Sequence, residues 1–174
     1  MSVSLVIRTF TAEDAAENQR LRLRALIEHP EAFSSSYEKE SKATLEQVAE
    51  KLGGIAKSQD EFILGAFKGI QLVGMVGFYR ELMDKERHKG FLWGMYVAPE
   101  ARSHKVGRKL LQELIKRAGS LVGLTQIRTG VVTTNEAARN LYKQLGFESY
   151  GIEKNALYVN GNYYDMDLLV LGLR

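Results

Sequence analysis

The sequence contains no cysteine, two prolines and a single tryptophan among its 174 residues. The absence of cysteine excludes disulfide bonds, thiol nucleophiles and thiolate metal sites. No apolar run is long enough to cross a bilayer, and the first residues lack the cationic segment and apolar core of a signal peptide. These absences predict a cytoplasmic protein with one domain over residues 1–174 and no membrane partner.

The charge of the chain is almost balanced, with 24 basic and 21 acidic residues and a formal net charge of +3. This mild excess fits an anionic small ligand and is far below the concentrated basicity typical of nucleic-acid-binding proteins. We therefore expect no nucleic-acid partner. The three histidines include no pair at a spacing typical of metal ligands, so no metal site is predicted.

Hydrophobic periodicity predicts the element order β-α-α-β-β-β-α-β-α-β-β, which is a mixed α/β architecture. Alternating residues place the first strand at Val3–Ile7, and a capping pair opens a helix over 12–28. A second helix starts after Thr44 and is expected to end at Gly53-Gly54. Near the end of the chain, Asn160-Gly161 predicts a type I′ hairpin turn between the last two strands.

The stretch from Val97 to Leu111 joins an apolar strand to an amphipathic helix through a turn rich in basic residues. The start of a helix carries backbone N–H groups without partners and the positive end of the helix dipole, which together attract anions. Four cations crowd this point and favour a ligand that carries phosphate. They are Arg102, Lys105, Arg108 and Lys109. An ordinary strand-to-helix connection with a solvated basic surface explains the local pattern equally well.

Two segments in this order resemble the GNAT superfamily of acetyl-CoA-dependent N-acetyltransferases. The first is the strand end Met95–Glu100 with the basic turn Arg102–Gly107, and the second is Asn135–Phe147, whose sequence is NEAARNLYKQLGF. The order of predicted elements is similar to the family's core over essentially the whole chain. The resemblance implies a GNAT-like fold, in which a mixed, mostly antiparallel twisted sheet is splayed between its fourth and fifth strands and carries helices on both faces.

The resemblance also implies acetyl-CoA as co-substrate and no metal. The family's pyrophosphate motif falls on Arg102–Gly107, with Lys105 where glycine is usual. The main chain of Met95–Val97 is expected beside the pantetheine arm, in a gap that a bulge at Gly94 would open. A backbone N–H of the first or second of these three residues would stabilise the oxyanion of the reaction. The residues expected to bind the cofactor are Met95, Tyr96, Val97, Arg102, Ser103, His104, Lys105, Val106, Gly107, Arg108, Lys109, Asn135, Ala138, Tyr142 and Lys143.

Tyr142 is the expected general acid, because the family's tyrosine at this place protonates the departing CoA thiolate. A phenol is still protonated at neutral pH and can donate. From spacing alone, a core tyrosine on an apolar helix face explains Tyr142 better. The general base is less defined, since the strand Phe91–Val97 contains no carboxylate. Glu81 is the tentative choice, directly or through water. Glu38 and Glu40 are alternatives, and each of the three is also explained as a surface charge.

These inferences predict an N-acetyltransferase that moves the acetyl group of acetyl-CoA to a primary amine by direct attack through a tetrahedral intermediate. The expected acceptor is a small-molecule amine or a peptide or protein amine. Acidic residues such as Glu31, Glu38, Glu40 and Asp84 weakly favour a cationic acceptor. A homodimer through the exposed edge of the last strands is a further hypothesis. The alternatives are a non-catalytic acyl-CoA-binding or sensing module and, at lower rank, a nucleic-acid-binding protein.

Overall fold

The structure is a computed structural model that describes residues 4–173, so Val3 of the expected first strand lies outside the described residues. The strands are β1 (Leu5–Thr9), β2 (Glu61–Lys68), β3 (Gln71–Arg80), β4 (Lys89–Val97), β5 (Gln126–Val132), β6 (Glu148–Val159) and β7 (Asn162–Gly172). The helices are α1 (Ala15–Glu28), α2 (Tyr37–Glu40), α3 (Leu45–Lys57), α4 (Val106–Gly119) and α5 (Glu136–Gln144). Short 3₁₀ turns at Ala12–Asp14, Pro30–Ala32, Asp84–Glu86 and Pro99–His104 complete the order.

All seven strands belong to one sheet with the order β1-β2-β3-β4-β5-β7-β6. Every neighbouring pair is antiparallel except β4 and β5, which run parallel. The parallel pair follows from its connection, since α4 carries the chain back along the sheet between these strands. The predicted mixed, mostly antiparallel α/β sheet is therefore confirmed.

The two faces of the sheet are covered by different helices, as expected. Alternation along β2 directs Phe62 and Leu64 to one face and Ile63 to the other. The first face packs against α4 through Val106, Leu110, Leu111, Leu114 and Ala118. The second face packs against α1 and α3 through Ala15, Leu21, Ala25, Leu52 and Ile55. The sheet thus separates two apolar clusters, one on each side.

The predicted capping pairs are present: one opens the 3₁₀ turn Ala12–Asp14 that leads into α1, and the other sets the start of α3. The Thr11 N–H donates to the Asp14 carboxylate at 2.8 Å. At α3, the Gln47 N–H donates to the Thr44 hydroxyl at 3.2 Å, and the Thr44 N–H donates to the Gln47 side chain at 2.9 Å. These reciprocal bonds satisfy donors that have no partner inside the helix. None of the helices within residues 4–173 has the length and hydropathy needed to span a membrane.

The expected end of α3 at Gly53-Gly54 is wrong, because the helix continues to Lys57. Both glycines have helical backbone, and neither is a positive-φ residue. A Cβ at Gly53 would lie 3.6 Å from the Cβ of Ala12, which is ordinary contact distance. Packing of α3 against the second face of the sheet stabilises these helical glycines in spite of their low helix propensity.

The hairpin predicted between the last two strands is present, with its type I′ turn. Asn160 and Gly161 have φ values of +50° and +82°, the left-handed conformations that this turn requires. They join β6 to β7, and β6 forms the outer edge of the sheet. The register of β6 shifts between Glu153 and Leu157, where an irregular segment interrupts the edge. Dimerisation through this edge stays a hypothesis.

Replacing Gly54 by alanine is expected to stabilise the protein. The residue lies inside α3, and no atom lies within 4 Å of the position that its Cβ would take. Glycine inside a helix is less favourable than alanine by about 0.5–1 kcal/mol, so urea denaturation of Gly54→Ala should show a gain of that size. Gly161→Ala is the control and should be destabilised, because its φ of +82° disfavours a side chain. A Gly54→Ala variant less stable than the wild type would contradict a helix that extends to Lys57.

Candidate functional site

The sheet opens into a gap between β4 and β5. The two strands pair over Lys89–Phe91 and Gln126–Arg128, and beyond this point no register joins them. Gly94, at φ +63°, lies where two residues of β4 face one residue of β3, which is the predicted bulge. The Thr129 hydroxyl donates to the Leu92 carbonyl at 3.0 Å and bridges the two strands at the closed end of the gap. The predicted splay between the fourth and fifth strands is therefore confirmed.

The gap leaves a backbone N–H group of β4 available to a ligand. Tyr96 pairs with β3, and the Ala98 N–H donates to the Val73 carbonyl at 2.9 Å. Successive residues of a strand direct their N–H groups to opposite sides. The Tyr96 N–H consequently belongs to the ladder with β3, and the Val97 N–H faces the gap.

A cavity of about 480 Å³ lies at the open end of the gap, between the end of β4, the start of α4 and α5. We call it the mouth cavity. It brings together most of the residues predicted to bind a cofactor, although they come from three separate segments. Those that line it are Met95, Tyr96, Val97, Arg102, Lys105, Gly107, Arg108, Asn135 and Ala138.

The basic turn before α4 is held in place by its own side chains. The Arg102 Nε donates to the Val97 carbonyl at 3.1 Å, and Arg108 donates to the side chain of Gln144 on α5. Lys105 is the residue before α4 and has φ +55° and ψ +26°, a left-handed conformation. This conformation explains why glycine is usual at the position, since a side chain there carries steric strain.

Other residues predicted to bind the cofactor lie elsewhere. Val106 is fully buried and packs in the core beneath the sheet. The Lys109 side chain is exposed and does not line the mouth cavity. Lys143 lines a separate surface depression together with Arg139. Ser103 and His104 belong to the 3₁₀ turn Pro99–His104, and their side chains lie outside what the structure describes.

A second cavity of about 300 Å³, which we call the splay cavity, fills the gap itself. It shares Met95, Asn135 and Ala138 with the mouth cavity, so the two cavities adjoin. The Asn135 side chain accepts from the Ala138 N–H at 3.1 Å and caps α5.

Tyr142 lines the splay cavity from α5. Its ring packs edge-on against Phe147, with 5.3 Å between centroids, and only 4% of the residue is exposed. Burial raises the pKa of the Tyr142 hydroxyl well above its ordinary value, and the nearby Thr129 side chain offsets this only in part. Tyr142 is thus both a core residue and a protonated hydroxyl at the wall of the gap.

A third cavity of about 500 Å³ lies on the opposite face of the sheet, between α1, α2 and α3. We call it the α1–α3 cavity. It meets the splay cavity at Arg22 and Trp93, which line both. Arg22 was not among the site residues predicted from the sequence. Arg22 is one of three arginines at alternate positions of α1, and nothing in the sequence separates it from its neighbours.

The carboxylates considered as general bases occupy different environments. Glu81 follows β3 and accepts from Arg128 at 2.7 Å, and it is not among the residues that line the three cavities. Glu38 is exposed on α2. Glu40 lines the α1–α3 cavity, where both of its oxygens accept from Arg22 at 2.8 and 2.9 Å. Of the acidic residues thought to favour a cationic acceptor, Glu40 alone lines these cavities.

Within residues 4–173, no three acidic or histidine side chains form a group that could hold a metal ion.

Comparison with known proteins assigns this chain to a family. The model of the acetyltransferase (GNAT) family matches residues 22–147, which is well over half of the sequence. The chain therefore belongs to the GNAT family. A curated relative, the uncharacterized N-acetyltransferase YoaA of Bacillus subtilis, is 29% identical over 98 residues, which are 56% of this chain and 54% of that protein. The match thus spans about half the length of that relative.

Solved structures share the whole fold. An acetyltransferase of the GNAT family from Streptococcus pneumoniae superposes with a TM-score of 0.89 and 26% identity, over 97% of this chain and 99% of that one. The acetyltransferase yncA of Salmonella typhimurium, solved with its cofactor acetyl-CoA, gives a TM-score of 0.84 and 20% identity over 98% and 95% of the two chains. These similarities confirm the predicted GNAT-like fold.

Replacing Lys105 by glycine is expected to stabilise the protein, since glycine adopts the observed left-handed backbone without steric strain. We expect a gain of about 1 kcal/mol and a melting temperature about 2–4 °C higher by calorimetry. Asn160→Gly is the matched control. Asn160 has a similar φ of +50°, but asparagine tolerates this region, so its gain should be smaller. An equal or greater gain at Asn160 would contradict strain at Lys105.

Proposed function

We propose that the protein is an N-acetyltransferase that transfers the acetyl group of acetyl-CoA to a primary amine. The observation that carries this proposal is the gap between β4 and β5, which opens at the basic start of α4 and ends at Tyr142. Membership of the GNAT family and the acetyl-CoA bound to the similar yncA structure support the same reaction.

The mouth cavity is suited to the diphosphate of coenzyme A. Amide groups at the start of α4 and the positive end of its dipole favour an anion there, and Arg102, Lys105 and Arg108 add positive charge. The pantetheine arm would extend along β4 into the splay cavity. On its way the arm would accept a hydrogen bond from the Val97 N–H, which faces the gap where a neighbouring strand would otherwise pair.

The reaction that we propose is direct attack without an acyl-enzyme. The amine nitrogen forms a bond to the thioester carbon, and the carbonyl oxygen becomes an oxyanion. Of the two donors considered from the sequence, Tyr96 pairs with β3, and we therefore assign the Met95 N–H to this oxyanion. Removal of a single donor of this kind typically raises the barrier by about 2.7–4 kcal/mol. The C–S bond then breaks and the thiolate leaves.

Tyr142 is proposed to protonate that thiolate. Burial keeps its hydroxyl protonated at neutral pH, and the same dry surroundings would raise the pKa of the leaving thiol. The pKa of the proton donor, Tyr142, and the pKa of the leaving thiol are therefore both raised. This compensation is why a phenol with a raised pKa can still act as the acid.

The proton of the attacking amine is proposed to leave to water. Burial alone would raise the pKa of Glu40, but the hydrogen bonds and charge of Arg22, together with the charge of Lys51, hold that pKa below its ordinary value. A carboxylate in this state is a weak base. A role for Glu81 through water stays a hypothesis.

Acetyl-CoA is expected to raise the melting temperature of the protein. A ligand at about 100 times its dissociation constant adds about 2.7 kcal/mol to the free energy of unfolding, which corresponds to roughly 5–10 °C for a chain of this size. Differential scanning fluorimetry with and without acetyl-CoA measures the shift, and acetate at the same concentration is the control. No shift with acetyl-CoA would contradict binding in the mouth cavity.

Replacing Tyr142 by phenylalanine is expected to lower kcat about 100-fold or more, because a general acid contributes a factor of that size. The dissociation constant of acetyl-CoA should change little, since the ring and its packing are retained. Release of free thiol with a panel of amino acids, peptides, polyamines and aminoglycosides measures the rate, and calorimetry measures binding. Tyr150→Phe removes a hydroxyl from an exposed tyrosine on β6 and should leave both quantities unchanged.

The same experiments separate an enzyme from a sensing module. Binding of acetyl-CoA without thiol release from any amine would favour a non-catalytic acyl-CoA-binding module. Thiol release that is equal in Tyr142→Phe and the wild type would exclude Tyr142 as the acid and leave the transfer reaction in place.

A further inference from the structure

One buried donor in the acceptor region has no partner within the described residues. The Arg22 guanidinium donates through Nε and Nη2 to Glu40 at 2.9 and 2.8 Å, while its Nη1 is buried and makes no hydrogen bond. The side chain is 13% exposed, and its guanidinium lies over the ring of Phe33 at 4.9 Å from the centroid. Because Glu40 and Phe33 fix the group, Nη1 cannot turn toward solvent without breaking these contacts. Buried donors without partners are rare in folded proteins.

The unpartnered nitrogen lies beside the reaction centre. A Cβ built on Gly94, at the bulge of β4, would be 3.7 Å from Arg22 Nη1. The next residue along β4 is Met95, whose N–H is the proposed oxyanion donor. Arg22 also lines both the splay cavity and the α1–α3 cavity. Its free edge therefore points to the place where an acceptor would meet the thioester.

The charge of the surrounding cavities favours an anion. The α1–α3 cavity is lined by three cations, Arg22, Lys39 and Lys51, against the single carboxylate of Glu40, which gives a formal charge of +2. In the splay cavity Arg22 is the only charged residue of the described lining. A polyamine entering here would be repelled, and the preference for a cationic acceptor suggested by the acidic residues is not supported.

We propose that Arg22 binds the carboxylate of the acceptor and that the acceptor is a free α-amino acid with an apolar side chain. This inference rests on the proposed acetyl transfer and names its substrate class. A guanidinium binds a carboxylate through parallel N–H donors, and one hydrogen of Nη1 with the second hydrogen of Nη2 forms such a pair on the edge that Glu40 does not use. In an α-amino acid a single carbon separates the carboxylate from the amine, so a carboxylate on Nη1 places the amine next to Gly94. The apolar side chain of the amino acid would pack against the apolar wall of the α1–α3 cavity. That wall consists of Leu23, Val48, Leu52, Ile63, Met75 and Trp93.

The test compares α-amino acids with their own carboxamides. Alanine, valine, leucine, methionine and phenylalanine are each assayed with acetyl-CoA beside the corresponding amide, which keeps the amine and loses the negative charge. For the preferred side chain, kcat/KM should be about 10- to 100-fold higher for the acid than for the amide. In Arg22→Met this ratio should fall close to one, because the acid loses the partner of its carboxylate and the amide has no such partner to lose. Wild-type protein that uses amides as well as acids would overturn the proposal.

Two further variants control for charge and folding. Arg24→Met removes the same charge from the same helix, but Arg24 binds Glu28 and Glu100 and does not line the cavities, so the ratio should be retained. Arg22→Met/Glu40→Gln removes the carboxylate that Arg22→Met would leave buried, and it should lose the preference in the same way. A preference that persists in the folded double variant would also overturn the proposal.

Binding separates this proposal from the transfer reaction. Calorimetry of the same amino acids and amides with protein saturated in coenzyme A needs no turnover. Tighter binding of the acid, lost in Arg22→Met, supports the role of Arg22 even if no acetyl group is transferred. Equal binding of acid and amide counts against that role even if the protein acetylates other amines. Failure of coenzyme A to bind counts against the proposed function, and the comparison is then made without it.

Discussion

The interruption of hydrogen bonding between β4 and β5 is the constraint on which the rest of the structure depends. A sheet normally satisfies every N–H and carbonyl of an inner strand through its neighbours, whereas the ladder between β4 and β5 stops at Phe91 and Arg128. Gly94 makes the departure possible by adopting a conformation that is strained for other residues. The bond from the Thr129 hydroxyl to the Leu92 carbonyl marks where the strands part. Every cavity of the candidate site adjoins this opening.

Much of the fold could be predicted from periodicity and capping, because these signals are local. The starts of α1 and α3 and the Asn160-Gly161 turn each depend on residues within four positions of one another. The end of α3 could not be predicted from Gly53-Gly54, since packing against the sheet overrides the weak propensity of glycine. Tertiary contacts of this kind leave no mark in a short stretch of sequence.

Some residues of the candidate site could likewise be predicted from the sequence, and others could not. The segments around Lys105 and Asn135 carry family motifs, so their convergence on one cavity could be expected. Arg22 could not be distinguished, because its significance lies in a missing hydrogen bond and in its distance from Gly94, which is remote in sequence. Lys143 has the right place in the motif and faces another surface. A motif fixes which helix contributes, whereas side-chain direction depends on how the helix is rotated in the fold.

The two apolar clusters on opposite faces of the sheet have a consequence for the evolution of this fold. The cluster beneath α4 and α5 supports the nucleotide side, and the cluster beneath α1 and α3 supports the wall around Trp93. A layer of strands lies between the two clusters, so the helices of one face pack apart from the helices of the other. Descendants of such a chain can acquire new acceptors by repacking α1 and α3 while inheriting an unaltered means of holding the acyl donor.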